Sequence, residues 1–230
     1  MKRNQYQIMS NEQIAENTYQ LILAGDTAEI TAPGQFVNIK IQGLYLRRPI
    51  SICDYEAGKL TLVYKVVGEG TKRLSAMKEG MLDILCPLGN GYDLEAIPEG
   101  AILVGGGVGV PPMYGLAKAI AHKKPKVFLG FNRQEEVFFK EAFEALGLET
   151  VIKVGGYITE VLPEQGYVCA CGPEVMLKAI DELSVGGQYS FEARMACGFG
   201  GCMGCSCKTK YGAKRICKEG PVLTKEEIIW

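Results

Sequence analysis

Histidine is nearly missing from this chain: His122 is the only one in 230 residues. That excludes the multi-histidine zinc hydrolases, whose catalytic metal takes two or three imidazoles. His122 itself ends a helical stretch before Lys123-Lys124-Pro125, where a helix C-terminus is sufficient reason for a basic side chain. An excess of either charge is also missing, since 25 Lys and Arg meet 26 Asp and Glu, both signs being scattered. No surface for nucleic acid or another polyanion is therefore expected. No apolar run reaches the ~18–20 residues of a membrane span. The opening Met1-Lys2-Arg3-Asn4-Gln5 leads into polar sequence rather than the apolar core of a secretory signal. Internal repeats and low-complexity tracts are absent. Nine cysteines in such a chain fit a reducing cytoplasm and metal ligation better than a disulfide-stapled secreted domain.

Cysteine and glycine are what the chain has in plenty, close to its end. Cys197, Cys202, Cys205 and Cys217 read C-x4-C-x2-C, with the fourth cysteine after eleven intervening residues. This is the ligand spacing of a plant-type [2Fe–2S] centre. Gly198, Gly200, Gly201 and Gly204 permit the backbone angles that turn several cysteines inward and aim N–H groups at sulfur. A four-cysteine zinc site is the competing reading, but such sites usually pair two C-x2-C hooks and only one is present. Cys207 is expected to be a spectator, because four thiolates complete two irons. Cys53, Cys86 and Cys169 sit in apolar runs and read as small core residues.

Three regimes divide the chain, with boundaries expected at 1–98, 99–186 and 187–230. The first carries short alternating segments at 18–24, 35–40, 59–67 and 81–85, separated by turn residues, which predicts an antiparallel β-barrel or sandwich. The second alternates apolar strands at 101–104, 126–130, 151–154 and 167–170 with helices at 112–122, 136–146 and 173–183. That order predicts a Rossmann-like parallel α/β sheet, so the fold class is β plus α/β. The third loses periodicity, as a small metal-organised segment requires.

Two turns in the second regime carry chemistry. The first strand runs into Gly105-Gly106-Gly107-Val108-Gly109-Val110-Pro111-Pro112 and then a helix. Glycines there let backbone amides approach a pyrophosphate, whose charge a helix N-terminus favours, and prolines suit a first helical turn. Cys171-Gly172-Pro173-Glu174 repeats the geometry, and two such turns at carboxyl ends of parallel strands mark one crevice. The second strand closes on Asn132-Arg133 without an acidic residue. Asn132 suits a ribose hydroxyl and Arg133 a phosphate, so NAD against NADP stays open here.

The barrel carries its own candidates. Arg47 and Arg48 precede Pro49-Ile50-Ser51 in an otherwise apolar strand. A guanidinium there needs an anion, either a phosphate or a carboxylate across the barrel. Val63-Tyr64-Lys65 leads to Gly68-Glu69-Gly70-Thr71, a glycine turn and helix start suited to the same pyrophosphate. Tyr64 is either a ring beside a bound aromatic group or an ordinary strand tyrosine.

Taken in order, R-P-x-S, G-x-G-T, GGGxGxxP and C-G-P-E-x-M resemble the ferredoxin–NADP reductase superfamily. The stretch from Glu192-Ala193-Arg194-Met195-Ala196-Cys197 to Cys205, with Cys217-Lys218-Glu219-Gly220-Pro221-Val222 after it, is similar to electron transfer subunits of dihydroorotate dehydrogenase type B. The likeness spans the chain. It implies FAD held by Arg48, Pro49, Ile50 and Ser51, by Val63, Tyr64 and Lys65, and by Gly70 and Thr71. It implies NAD on Gly105, Gly106, Gly107, Gly109 and Pro111 and on Cys171, Gly172 and Pro173, with Cys171 near hydride transfer. The cluster ligands it implies are the same four cysteines. A separate FMN-containing catalytic subunit would oxidise dihydroorotate in pyrimidine biosynthesis, two copies of each subunit assembling, with electrons passing through the cluster and FAD to NAD+. A related reductase subunit of a hydrogenase, sulfite reductase or transhydrogenase-type complex is the alternative, disfavoured by the E-x-R-M-A-C-G run. This chain has neither the length of a TIM barrel nor a dedicated FMN phosphate site, so dihydroorotate oxidation is expected to need that partner. The apolar tail Ile228-Ile229-Trp230 is expected to cover the core, with partner contact the alternative.

Overall fold

Strand alternation builds the first half of the computed structural model, which describes residues 1–230. Strands β1 (Lys2–Ala15), β2 (Thr18–Ala24), β3 (Phe36–Ile39), β4 (Arg48–Glu56), β5 (Lys59–Lys65) and β6 (Met81–Leu88) close an antiparallel barrel in the order β1-β2-β5-β4-β3-β6. Inward positions two apart, such as Leu60, Leu62 and Tyr64 on β5 or Leu82, Ile84 and Cys86 on β6, fill its interior. Strand β1 is polar in composition, yet its Tyr6, Ile8 and Asn11 are buried. Asn11 shows how a polar group is accommodated inside. Its amide donates to the carbonyls of Leu74 (2.8 Å) and Met77 (2.9 Å) at the end of helix α1 (Glu69–Ala76), and its oxygen accepts the Tyr64 hydroxyl at 2.9 Å. The Met77 carbonyl beyond the helix end thereby gains a partner, and the Leu74 carbonyl a second one beside the Met77 N–H.

The second sheet runs β14-β11-β10-β7-β8-β9. Its strands β7 (Ile102–Gly106), β8 (Lys126–Phe131), β9 (Thr150–Val154), β10 (Tyr167–Cys171) and β11 (Gly186–Ser190) are parallel. The chain winds outward from β7 to β9, then returns to place β10 on the other side of β7. The reversal point of this open sheet therefore lies between β7 and β10. Helices α2 (Val110–Ile120), α3 (Lys140–Glu144) and α4 (Glu174–Leu183) connect the strands. A small hairpin, β12 (Ser206–Thr209) with β13 (Gly212–Arg215), follows, and β14 (Val222–Thr224) adds antiparallel to β11. No helix is long and apolar enough to cross a membrane.

Two expectations are corrected. The α/β sheet does not stop at residue 186: that residue opens β11, and the C-terminal segment lends β14 to the same sheet. The helix expected over 136–146 shrinks to α3, five residues long. Phe139 before it has a left-handed φ of 68°. That kink turns Phe138 edge-on to Phe131 (5.4 Å) and Phe139 edge-on to Tyr114 (5.2 Å), so aromatic packing overrides the helical pattern.

Barrel and sheet share one core. Cys53 and Val63 on the barrel's outer face pack with Met113, Leu116 and Ala117 of α2. Gly115 permits this closeness, since a Cβ there would stand 2.6 Å from the Cys53 carbonyl oxygen. Phe36 and Leu88, also on the barrel, pack instead with Cys205, Ile216 and Cys217 of the C-terminal segment. Three pieces of chain thus converge, and the site lies where they meet.

Candidate functional site

Two clefts open at that meeting. One, of about 360 Å³, lies between β4 and β5 of the barrel and the segment after β11, and is bounded by Arg48, Ser51, Thr71, Cys171 and Met195. The other, of about 370 Å³, lies at the carboxyl ends of β7, β8, β9 and β10, beside Gly107, Asn132, Lys153, Tyr157 and Pro173. Lys65, Val108 and Glu192 border both. A ligand in one cleft would therefore reach the ligand in the other.

The adjacent arginines at the start of β4, Arg47 just before it and Arg48 its first residue, have separate roles. Arg47 donates to Asp83 Oδ1 at 2.7 Å and to the carbonyls of Asn38 and Asp83, so it is the cross-barrel salt bridge. Arg3 above all, with Arg47, holds the Asp83 carboxyl below the usual range. Arg48 points the other way and finds only the carbonyls of Leu46 and Arg47. Its guanidinium lies so close to Gly70 that any Cβ there would overlap it. A cation without a carboxylate, laid over the first turn of α1, is a fit for an anionic phosphate. The Thr71 hydroxyl is occupied in the cap, accepting the N–H of Val67 (3.0 Å) and Gly68 (3.3 Å). Pro49, Ile50 and Ser51 border the cleft as a row, as do Val63, Tyr64 and Lys65; the Tyr64 ring also belongs to the barrel interior and stacks on Tyr19 at 5.8 Å. Burial pushes the Tyr64 hydroxyl up to about 12, against the opposing hydrogen bond to Asn11.

The two glycine turns touch. A Cβ on Gly109 would overlap the Cys171 carbonyl oxygen and lie 2.8 Å from Gly172 N. Gly107 takes a left-handed φ of 54° and leaves open space beside it. Pro111 and Pro112 occupy the first turn of α2, where N–H groups lack partners in any case. Cys171, 3% exposed, ends β10 between the two clefts. Burial pushes its thiol up to about 12, so it meets the junction neutral. Glu192, with no ion pair, is raised above the usual carboxyl range by burial.

In the C-terminal loop each of the four sulfurs accepts a backbone N–H: Cys197 from Gly201 (3.2 Å), Cys202 from Gly204 (3.5 Å), Cys205 from Cys217 (3.4 Å) and Cys217 from Gly200 (3.1 Å). Such bonds stabilise thiolate charge. Burial opposes ionisation of Cys197, yet the N–H groups of Phe199, Cys202 and Gly201 bring it down to about 6. Burial and the neighbouring Cys205 push Cys217 up to about 12. Four thiolates at this spacing, each with a backbone N–H on its sulfur, fit two irons. Cys207 sits half-buried in β12, outside these bonds.

Sequence reasoning missed the residues that dock this loop. Asn38, 1% exposed on β3, donates to the Cys197 carbonyl at 3.3 Å, and Gly198 at φ 74° makes room for it. Asn90 exchanges hydrogen bonds with Val222 (2.8 and 3.0 Å) and donates to the Glu219 carbonyl at 3.1 Å. A lone asparagine in a strand or turn carries no signal of its partner 129 or more residues away. At the chain end Ile228 is buried, and Trp230 packs near Phe191 while its indole N–H donates to Asp181 at 2.8 Å. Ile228 joins the core, as expected, while Ile229 and Trp230 are exposed.

Known proteins bear on this geometry. The family described as the iron-sulfur cluster binding domain of dihydroorotate dehydrogenase B matches residues 192–229. The dihydroorotate dehydrogenase B (NAD(+)) electron transfer subunit of Caldanaerobacter subterraneus subsp. tengcongensis is 41% identical, over 97% of this chain and 97% of the relative. That of Geobacillus thermodenitrificans is 40% identical over 99% and 98%. Among solved structures, an NADH-dependent reduced ferredoxin-NADP oxidoreductase superposes with a TM-score of 0.86 at 27% identity, over 98% of this chain and 90% of that one. Phthalate dioxygenase reductase shares the fold, with a TM-score of 0.66 at 16% identity over 90% and 87%. With two-fifths of its residues shared along nearly its whole length, the chain belongs to the family of dihydroorotate dehydrogenase B electron transfer subunits.

Proposed function

We propose that this chain is an oxidoreductase subunit that passes electrons from a dihydroorotate-oxidising catalytic subunit to NAD+. In this reading FAD lies in the cleft between barrel and C-terminal segment, NAD in the cleft at the strand ends, and a [2Fe–2S] cluster on the four-cysteine loop. The observation that carries it is structural continuity. Residues Phe191, Ala193 and Met195 of the cluster segment form a wall of the flavin-side cleft, and Phe36 both borders that cleft and packs with Cys205 and Cys217.

Bound there, FAD would supply hydride exchange with NAD and single-electron exchange with the cluster. The chain's residues bind and orient. Arg48 and the first turn of α1, at Gly70 and Thr71, take the flavin's pyrophosphate, while Pro49, Ile50, Ser51, Val63 and Lys65 border its ring system. Tyr64 contributes through its backbone and the barrel it anchors. Gly105, Gly106, Gly107 and Gly109 with Pro111 form one side of the NAD phosphate turn, and Cys171, Gly172 and Pro173 form the other. Cys171, a neutral buried thiol at the junction, orients the reacting rings without acting as a base. Cys197, Cys202, Cys205 and Cys217 would together ligate the cluster's two irons. Cys202 is the exposed member, so its edge faces the partner. That partner is an FMN-containing catalytic subunit, two copies of each subunit assembling.

The test is an anaerobic spectrum of the purified chain with flavin, iron and acid-labile sulfide quantified, followed by NADH titration. One FAD, two irons and two sulfides per chain, bleached by NADH, is the expected result. Dihydroorotate bleaches it only after the catalytic subunit is added. Zinc without flavin, or orotate formed by the chain alone, overturns the reading.

A further inference from the structure

The end of the strand-end cleft at β8 and β9 is the ribose end of a dinucleotide site. A 2′-phosphate bound there would need a cation, and each nearby cation is already taken. Lys65 pairs with Glu136 at 2.7 Å. Arg133 pairs with Glu16 at 2.5 Å and stands 3.5 Å from Glu136. Lys153 pairs with Glu160 at 2.8 Å. Three positive charges meet three negative ones.

The pairs differ in where they lie. Arg133 does not border the cleft; it reaches back to Glu16 in the turn between β1 and β2. Lys65 stands at the junction with the flavin-side cleft. Lys153, at the end of β9, is the cation left beside Asn132 and Tyr157. Glu160 holds it from a tight turn. Its second carboxylate oxygen accepts the Tyr157 N–H at 2.9 Å, and a Cβ on Gly156 would lie 2.8 Å from that oxygen. Gly155 and Gly156, both at φ 66°, shape the turn that brings the carboxylate there. The Lys153 ammonium, then the Tyr157 N–H, keep the Glu160 carboxyl below its ordinary range, so it is charged wherever the protein works.

We infer that Glu160 is a specificity-determining residue for NAD over NADP. From just outside the cleft it occupies Lys153, the cation beside Asn132 and Tyr157, and sets a negative charge next to that end, while the Asn132 amide can serve a neutral 2′-hydroxyl. The selectivity works by repulsion as much as by attraction. This rests on the cleft being the NAD site, and the experiment separates the two claims.

Calorimetry on the FAD-loaded chain compares 5′-AMP with 2′,5′-ADP in wild type, Glu160→Gln, Glu160→Ala and the double variant Glu160→Gln/Lys153→Met. Wild type is expected to prefer 5′-AMP. Either single variant should tighten 2′,5′-ADP by about tenfold, about 1.4 kcal/mol, leave 5′-AMP unchanged, and raise the NADPH to NADH ratio of kcat/KM in parallel. The double variant should lose the gain, because Lys153 supplies it. Equal wild-type binding of the two ligands overturns the inference, as does unchanged 2′,5′-ADP binding in both single variants with bound FAD intact. If 5′-AMP neither binds nor competes with NADH, the reading of the cleft itself fails.

Discussion

Gly109→Ala tests whether the two glycine turns work as one cradle. An alanine methyl would overlap the Cys171 carbonyl oxygen and stand 2.8 Å from Gly172 N. Ordinary contacts between such atoms lie near 3.5–4.0 Å, so the turns must part by roughly 1 Å. Both obstacles are backbone, so no side chain can swing aside to relieve them. Forcing an extra methyl into a packed site costs about 1–3 kcal/mol, and a misplacement of about 1 Å at a reacting centre can cost about 100-fold in rate. Gly109 does not border the flavin-side cleft, so flavin and iron contents should match wild type. NADH-dependent dye reduction should fall between tenfold and 100-fold, on the order set by that displacement, with thermal stability lowered modestly. A variant with wild-type kcat/KM and melting temperature would show that the turns are not held together as described, and the cradle argument would fail.

Cys202→Ser, at the exposed thiol, should abolish iron and sulfide content while leaving FAD bound; full iron content would refute the ligand set. Asn38→Leu removes the buried amide that meets the Cys197 carbonyl and strands that carbonyl, at a cost of about 1–3 kcal/mol. The cluster should then be lost faster on dilution or mild heating, read by the decay of its visible absorbance, while Asn38→Gln should not restore it because its longer arm meets Gly198. Glu136→Gln probes the Lys65 pair. Lys65 above all holds the Glu136 carboxyl below its ordinary range, so the native pair contributes stability above the unfolded carboxyl pKa, about 4.3. That contribution fades as pH falls through the lower native value. The melting-temperature gap between wild type and variant should therefore be open at pH 7 and close toward pH 3; a gap that widens on acidification would reverse the sign.

Much of the fold was legible because it is written in local chemistry. The barrel strands at 18–24 and 59–65 alternate, and the glycine turns after β7 and β10 sit between an apolar strand and a helix. Elements whose form depends on distant partners were not legible. Strand β1 reads as polar because its buried Asn11 is paid for by carbonyls of α1. The helix expected over 136–146 has sound periodicity, but Phe138 and Phe139 pack better when the chain kinks. Strand β14 has three residues and exists because β11 offers an open edge.

The site divides along the same line. Cys197, Cys202, Cys205 and Cys217 announce a two-iron centre by spacing alone, because one loop must wrap the metal within a short length of chain. Glycine at 105, 106, 107, 109 and 172 is likewise a local necessity of a tight strand-to-helix turn. Which of two consecutive arginines faces the cleft was decided by the barrel: successive residues face opposite ways, so Arg47 went to Asp83 and Arg48 to the cleft. The pairing of Lys153 with Glu160, the docking of the cluster loop on Asn38 and Asn90, and the meeting of both clefts at Lys65, Val108 and Glu192 were decided in the same way. Local sequence determined which chemistry the chain can hold, since ligand spacing and backbone freedom are short-range properties. Tertiary structure decided which groups are near enough to act together, since charge pairing and close packing depend on distances that only the closed fold sets.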